Sequence, residues 1–364
     1  MKLNYTVNIS NPFDGIYEKG TESILFAHSL IGTVLGKSAN GLLFHGELFN
    51  VVAIIDQNAA GKDTSKICKG VTAKIPIYKD IKTALNQHKA RVLIILIDPD
   101  NCWYNDFEEA AKNGLDFINT SFEFVKDSAY MMDLINKYNL KLFDLRDLSH
   151  LKAYPDVTIL NRKAKVVFVT GTDCGLGKRT AAFELTKTAI KKGINAVMYA
   201  SGQTGLMFGA PGTVADALVL EFGSGVISQH ICQLSQKGYE LIFVEGQGDI
   251  YHPIVAMVTL GLLYGSNPDC IILVHDESRT YHKAYNETSE LYKMHPVHKY
   301  ITLFEMLSLP CGPKYKTLGI ATIGEENIRK ISTMPEIEGL TVADVFMQGG
   351  AEILLDKIIE YCRI

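Results

Sequence analysis

Lys165-Val166-Val167-Phe168-Val169-Thr170-Gly171-Thr172-Asp173-Cys174-Gly175-Leu176-Gly177-Lys178-Arg179-Thr180 runs from an apolar strand through a glycine-rich turn to a lysine and a helix. This is the order a phosphate-binding loop, or P-loop, requires. Gly171, Gly175 and Gly177 permit positive φ and close approach of backbone, so successive N–H groups can point inward around a polyphosphate. The helix that starts near Lys178 adds its positive N-terminal end, and Lys178 reaches over the loop to the terminal phosphates. The bland alternative is a glycine-rich strand–helix turn without a ligand; the agreement of strand, loop, lysine and helix favours phosphate.

Two departures bear on the ligand. The spacing is G-x5-G-K, one residue longer than G-x4-G-K-[ST], and Arg179 stands where Ser or Thr ordinarily ligates Mg²⁺. Thr180 is one step on, about 100° around the helix. The anion cradle is intact while the metal ligand is in doubt. ATP and coenzyme A, which carries an ADP-like pyrophosphate, both suit it. The cofactor-binding set is Gly171, Thr172, Cys174, Gly175, Leu176, Gly177, Lys178, Arg179 and Thr180.

Around this loop, strands and helices alternate. Strands are expected at Lys165–Thr170, Ala196–Ala200, Glu240–Val244, Cys270–Val274 and Thr317–Thr322, with a helix at 179–192 and a mainly helical tail from Thr341 to Ile364. In the first half, strands are expected at Val51–Ile55, Val92–Ile97, Phe117–Asn119 and Leu140–Phe143. Amphipathic helices fall at 79–88, 105–113 and 128–138. Apolar strands alternating with helices imply parallel sheets covered on both faces. The chain therefore reads as α/β with two domains, an open parallel sheet over 1–160 and a P-loop-type parallel sheet over 161–364. A length of 364 residues agrees with about two domains.

Ligands of open α/β sheets sit beyond the carboxyl ends of the strands. The segments found there are Ser201-Gly202-Gln203-Thr204-Gly205, then Glu245-Gly246-Gln247-Gly248-Asp249 with His252-Pro253, then His275, Asp276 and Arg279. Glu245 ends an apolar strand and is suited to hold Mg²⁺ through water or to act as a general base, or it caps the next turn. Gln203, Thr204, Gln247 and His252 are candidate substrate contacts, with plain turn residues as the alternative. Arg279 suits a carboxylate or phosphate, or a surface salt bridge. Asp173, inside the loop, joins Glu245 as a candidate catalytic acid. Cys174 is read as a small loop residue whose thiol is sensitised by nearby positive charge. His252, His275, His282, His295 and His298 show no H-x-x-x-H pair, so no metal site is expected.

In the first half, Gly32-Thr33-Val34-Leu35-Gly36-Lys37-Ser38 imitates a P-loop but is too short between its glycines, and no clean apolar strand is visible before it. Asp56 ends a strand as a ribose-binding acid does; without G-x-G-x-x-G before it, a turn residue is expected.

Composition narrows the class. Lys and Arg number 36 against 40 Asp and Glu, a net charge of −4 that gives no electrostatic footprint for sequence-independent nucleic-acid binding. Seven widely spaced cysteines without C-x-x-C argue against a disulfide framework and a thiolate zinc site, and a reducing cytoplasm is expected. The start, Met1 to Asn8, lacks a secretory pattern. The most apolar run, Ile254–Tyr264, is far short of the about 20 residues that span a bilayer and reads as a buried helix.

Gly171-Thr172-Asp173-x-x-x-Gly177-Lys178 with Val244-Glu245-Gly246 resembles the dethiobiotin synthetase branch of P-loop proteins, which use ATP to activate a carboxylated substrate but carry Thr after the lysine. A wider set of motifs is G-T-D-C-x-x-G-K-[RK]-T, S-G-Q-T-G at 201–205, E-G-Q-G with H-P over 245–253, and V-A-I-I-D at 52–56. This set resembles the D-glutamate N-acetyltransferase-like family. That resemblance implies a Rossmann-like first domain, a P-loop second domain, a homodimer, and acetyl transfer from acetyl-CoA to the amine of D-glutamate or a similar small acidic amino acid. An acetyltransferase needs no Mg²⁺ hydroxyl, which suits Arg179; Glu245 is then the expected base and Arg279 the expected carboxylate clamp. An ATP-dependent carboxylate-activating enzyme and a non-catalytic nucleotide sensor are the competing readings.

Overall fold

The computed structural model describes residues 6–33, 36–68, 70–282, 290–310 and 312–364. Cys311, Val34 with Leu35 of the short glycine loop, and the first five residues of the chain lie outside the described residues. Two compact units result. One comprises Asn11–Leu148 with Gln203–Gly209; the other comprises Met1–Ser10, Ser149–Gly202 and Ala210–Ile364. The division is not one point in the sequence, because the chain passes back and forth.

The first unit is a six-stranded parallel sheet: β1 (Thr21–Phe26), β2 (Phe49–Ile55), β3 (Ile77–Tyr78), β4 (Val92–Ile95), β5 (Asp116–Asn119) and β6 (Leu142–Asp144), in the order β3-β2-β1-β4-β5-β6. The strand order reverses between β1 and β4, as in a doubly wound fold. The expected strands are present with shifted ends. β1 was not expected, although it is central and precedes the Gly32–Ser38 loop. Its polar start, Thr21-Glu22-Ser23, hides a buried Ile24-Leu25-Phe26. Helix Ile81–Leu85 starts on Asp80, whose side chain accepts the Thr83 N–H, and helix Ala129–Lys137 starts on Ser128 in the same way. Asp56 accepts the Asn58 N–H at 2.9 Å, the geometry of a turn cap.

The second unit is a second six-stranded parallel sheet: β7 (Lys165–Gly171), β8 (Ala196–Tyr199), β9 (Leu241–Glu245), β10 (Cys270–Val274), β11 (Thr317–Thr322) and β12 (Thr341–Asp344), in the order β12-β11-β10-β7-β9-β8. The tail expected as mainly helix therefore begins with a strand, and the helix occupies Gly350–Cys362. Period-two alternation divides the sheet into two apolar faces. Val166, Phe168, Ile242, Val244, Ile271 and Leu273 pack under one, with residues of helices Leu220–Gln236 and Ala256–Ser266. Val167, Val169, Phe243 and Ile272 pack under the other, with helices Lys178–Lys191 and Gly350–Cys362. Helix Ala256–Ser266 grows from the apolar run but keeps Met257 half exposed. Among the described residues no helix is long and apolar enough to cross a membrane.

Candidate functional site

β7 lies between β9 and β10, so the segments that follow these three strands meet at one end of the sheet. After β7 the chain makes the glycine loop and enters the helix at Lys178. Gly177 caps that helix at φ +102°, a left-handed backbone that any side chain would strain. Gly171 meets the need for close approach: a Cβ there would lie 2.9 Å from the Val274 carbonyl and 3.1 Å from the Lys178 side chain. Lys178 is buried and its ammonium donates to the Asp173 carbonyl at 2.6 Å.

The segment after β10 fastens the loop from one side. Arg279 Nη1 donates to Asp173 Oδ2 and to the Cys174 carbonyl, both at 2.7 Å, and Nη2 reaches the Gly175 carbonyl at 3.3 Å. Thr172 Oγ1 and His275 Nδ1 are 2.8 Å apart, and His275 Nε2 lies 2.8 Å from Glu277 Oε2. Burial pushes the His275 pKa down while Glu277 opposes the shift. A neutral ring with its proton on Nε2 then donates to Glu277 and accepts from the Thr172 hydroxyl.

The segment after β9 supplies the acids. Glu245 is buried, and its Oε2 accepts the Ser201 N–H at 3.1 Å. Burial pushes the nearby Arg179 guanidinium below its usual pKa, and the Glu245 charge opposes that shift. The residue in the place of the Mg²⁺-binding hydroxyl is thus a cation within electrostatic reach of the strand-end acid. Gln247 Nε2 donates to the Ser201 carbonyl at 2.9 Å, which braces the β8 and β9 segments together.

Asp249, four residues beyond Glu245, was not singled out from the sequence. It is fully buried; Oδ1 accepts the Tyr251 N–H at 2.8 Å, and Oδ2 lies 3.3 Å from His282 Nδ1. The same His282 nitrogen lies 3.3 Å from Asp173 Oδ1. Burial pushes the Asp249 carboxyl up to about 6, against the pull of His282, the Tyr251 N–H and Lys178. The His252 ring stands 5.0 Å from that of His282, and Asp173, Cys174 and His252 offer ligand-type atoms within 4.8 Å of one another. The His252 pKa is pushed down, chiefly by burial. Histidines without helical pair spacing are thus gathered by separate loops. His295 instead lies against Tyr251, and His298 is on helix Val297–Met306.

Of the remaining candidates, Leu176 packs into the apolar core, Gly175 is exposed, and Cys174 and Thr180 are half buried. Gln203 and Thr204 belong to the first unit, on the short helix Gln203–Met207. There Gln203 Nε2 donates to the Thr120 carbonyl at 3.3 Å, and Thr204 Oγ1 lies 3.0 Å from Ser38 Oγ.

The family model described as a P-loop domain of unknown function (DUF1611_C) matches residues 154–354, more than half of the chain. The chain belongs to the DUF1611 family. A companion model, the DUF1611_N Rossmann-like domain, matches residues 57–148 of this DUF1611 protein. A Pseudoalteromonas protein named D-glutamate N-acetyltransferase is 30% identical over 190 residues, which are 52% of this chain and 56% of that protein. The match thus spans little more than half of that relative's length. A Tritonibacter scottomollicae protein of the same name is 25% identical over 259 residues, 69% of this chain and 75% of that protein. The crystal structure of a DUF1611 family protein from Anabaena variabilis superposes with a TM-score of 0.84 at 26% identity, covering 94% of this chain and 100% of that one.

Proposed function

We propose that this chain is an N-acetyltransferase that moves acetyl from acetyl-CoA to the amine of a small acidic amino acid, D-glutamate or a close analogue. Arg179, directly after the loop lysine in the first turn of helix Lys178–Lys191, carries the reading. A P-loop that uses Mg²⁺·ATP places a hydroxyl at position 179; here a guanidinium stands there, which suits a bare pyrophosphate. The left-handed Gly177 and buried Lys178 fit such an anion. The names of the two relatives supply the direction of the chemistry.

In the reaction the substrate ammonium first loses a proton. The amine then attacks the thioester carbonyl, a C–N bond forms, and the C–S bond breaks to release the coenzyme A thiolate; the nitrogen gives up its second proton as the amide forms, and the thiolate takes up one. Glu245 is the residue we assign to the first proton transfer, and Asp173 shapes the loop from within. Arg279 is committed to the loop by its contacts with Asp173, Cys174 and Gly175, so on this reading it holds the cradle.

Calorimetric titration with acetyl-CoA, ATP and ATP plus Mg²⁺, followed by an assay for N-acetyl-D-glutamate, tests this. Acetyl-CoA binding with product formation is expected. ATP binding that Mg²⁺ strengthens, with no acetyl-CoA binding, replaces the proposal with an ATP-dependent carboxylate-activating enzyme. Binding without turnover of any small acid leaves a nucleotide sensor.

A further inference from the structure

We propose that Asp173, Asp249 and His282 form a binding site for a divalent first-row transition ion of the zinc and manganese class. Their ligand atoms all lie within 4.8 Å of one another. His282 Nδ1 is 3.3 Å from Asp173 Oδ1 and 3.3 Å from Asp249 Oδ2. Ligand atoms each about 2.1 Å from a common ion stand about 3.0–3.4 Å apart in octahedral or tetrahedral geometry, so both distances from His282 already match.

Each carboxylate has its other oxygen held. Asp173 Oδ2 takes Arg279 Nη1, and Asp249 Oδ1 takes the Tyr251 N–H. Outer contacts of this kind orient metal ligands. Asp249 supplies the independent observation: it is 0% exposed, and among the described residues its Oδ2 accepts no hydrogen bond. A buried carboxylate oxygen without a donor is costly, and a cation at that point removes the cost. Arg279 pairs with one of the two carboxylates and leaves the charge of Asp249 for the ion.

The neighbouring His252 stays outside the ligand set. Its Nδ1 accepts the Ile254 N–H at 3.3 Å, which leaves the ring proton on Nε2. Three protein ligands remain, with positions open for water or substrate, as in catalytic rather than structural sites. Two carboxylates with one imidazole suit zinc, manganese or iron better than magnesium. The inference is independent of what the glycine loop holds, because its test reads metal binding alone.

Full-length protein stripped with a chelator is titrated with Zn²⁺, Mn²⁺ and Mg²⁺ by calorimetry, and with Co²⁺ by visible absorption. One ion per chain is expected, with Mg²⁺ at least about tenfold weaker. Asp249→Asn weakens Zn²⁺ binding by at least about tenfold and abolishes the ion-dependent rise in melting temperature seen in the wild type. His282→Gln gives a second reading should Asp249→Asn fail to fold. The proposal is overturned by no stoichiometric binding up to about 1 mM, which leaves His282 as a protonated partner of two carboxylates. Equal binding in both variants overturns it too, because the ion is then adventitious. A sulfur-to-Co²⁺ charge-transfer band overturns it in favour of Cys174.

Discussion

Arg279 grips Asp173 inside the glycine loop through Nη1 and Oδ2, 2.7 Å apart, with the carboxylate fully buried. Removing one partner of such a pair strands the other charge. Arg279→Ala is expected to lower the unfolding free energy by about 3–5 kcal/mol. Arg279→Lys restores the charge but not the planar fork and recovers only part of it. Urea denaturation of the two variants checks this; a loss below about 1 kcal/mol for the alanine places the pair among weak surface contacts.

Lys178 is expected to matter to the ligand more than to the fold. Its ammonium rests on the Asp173 carbonyl, from which a phosphate can draw it. A hydrogen bond from a charged donor contributes about 1.5–3 kcal/mol. Lys178→Met therefore weakens acetyl-CoA or ATP binding by about 10–100-fold. Calorimetry reads the affinity, and circular dichroism confirms that the variant folds. Unchanged affinity means that the loop holds no phosphate.

Glu245→Gln separates base from brace. The amide oxygen still accepts the Ser201 N–H, while the charge opposite Arg179 is lost. A general base contributes about 10²–10⁴ in rate. On the proposed reading kcat for acetyl transfer falls within that range. Turnover within a few-fold of wild type removes Glu245 from the chemistry. A parallel acetyl-CoA titration shows how much of any loss comes from the charge removed near Arg179.

His230 makes the second unit sensitive to acid. It is buried on helix Leu220–Gln236 with Nδ1 3.0 Å from the Tyr199 hydroxyl, and burial pushes its pKa from 6.5 down to about 4. Between these values the unfolded chain binds a proton that the folded chain refuses. The stabilising effect is therefore complete above about pH 6.5 and is lost as pH falls toward 4. At about 1.4 kcal/mol per pKa unit the span is near 3 kcal/mol. Denaturation of wild type and His230→Gln from pH 7 to 4 should show the steeper decline in the wild type. Parallel curves contradict the assignment.

The glycine loop and the strand–helix alternation were legible because local chemistry writes both. Burial on both faces makes β7, β9 and β10 apolar almost throughout, and the turn needs glycine wherever backbones approach. β1 escaped because only half of it is apolar. His275 and Arg279 were placed at the right end of the sheet, but the pairings themselves escaped: His275 meets Thr172 across 103 residues of chain and His282 meets Asp173 across 109. No spacing rule reaches that far. Asp249 was within sight, in the same post-strand segment as Glu245, but its burial and its unmatched oxygen are tertiary facts. Gln203 and Thr204 follow a strand of the second unit in sequence, yet they pack in the first.

The short segment Thr6–Ser10 has a consequence for how this family can be shuffled. Val7 and Ile9 donate their N–H groups to Gln229 and Gln233, and Gln233 donates back to the Val7 carbonyl, so the amino end of the polypeptide zips onto a helix of the P-loop unit. A fragment cut at residues 154 and 354 keeps the glycine loop but strips those glutamines of their contacts with Val7 and Ile9. It also discards all of the last two turns of helix Gly350–Cys362, whose Leu355 and Ile358 are core residues. The P-loop half is therefore not a portable cassette. Recombination that respects this architecture must carry the amino-terminal segment along with the carboxyl-terminal half.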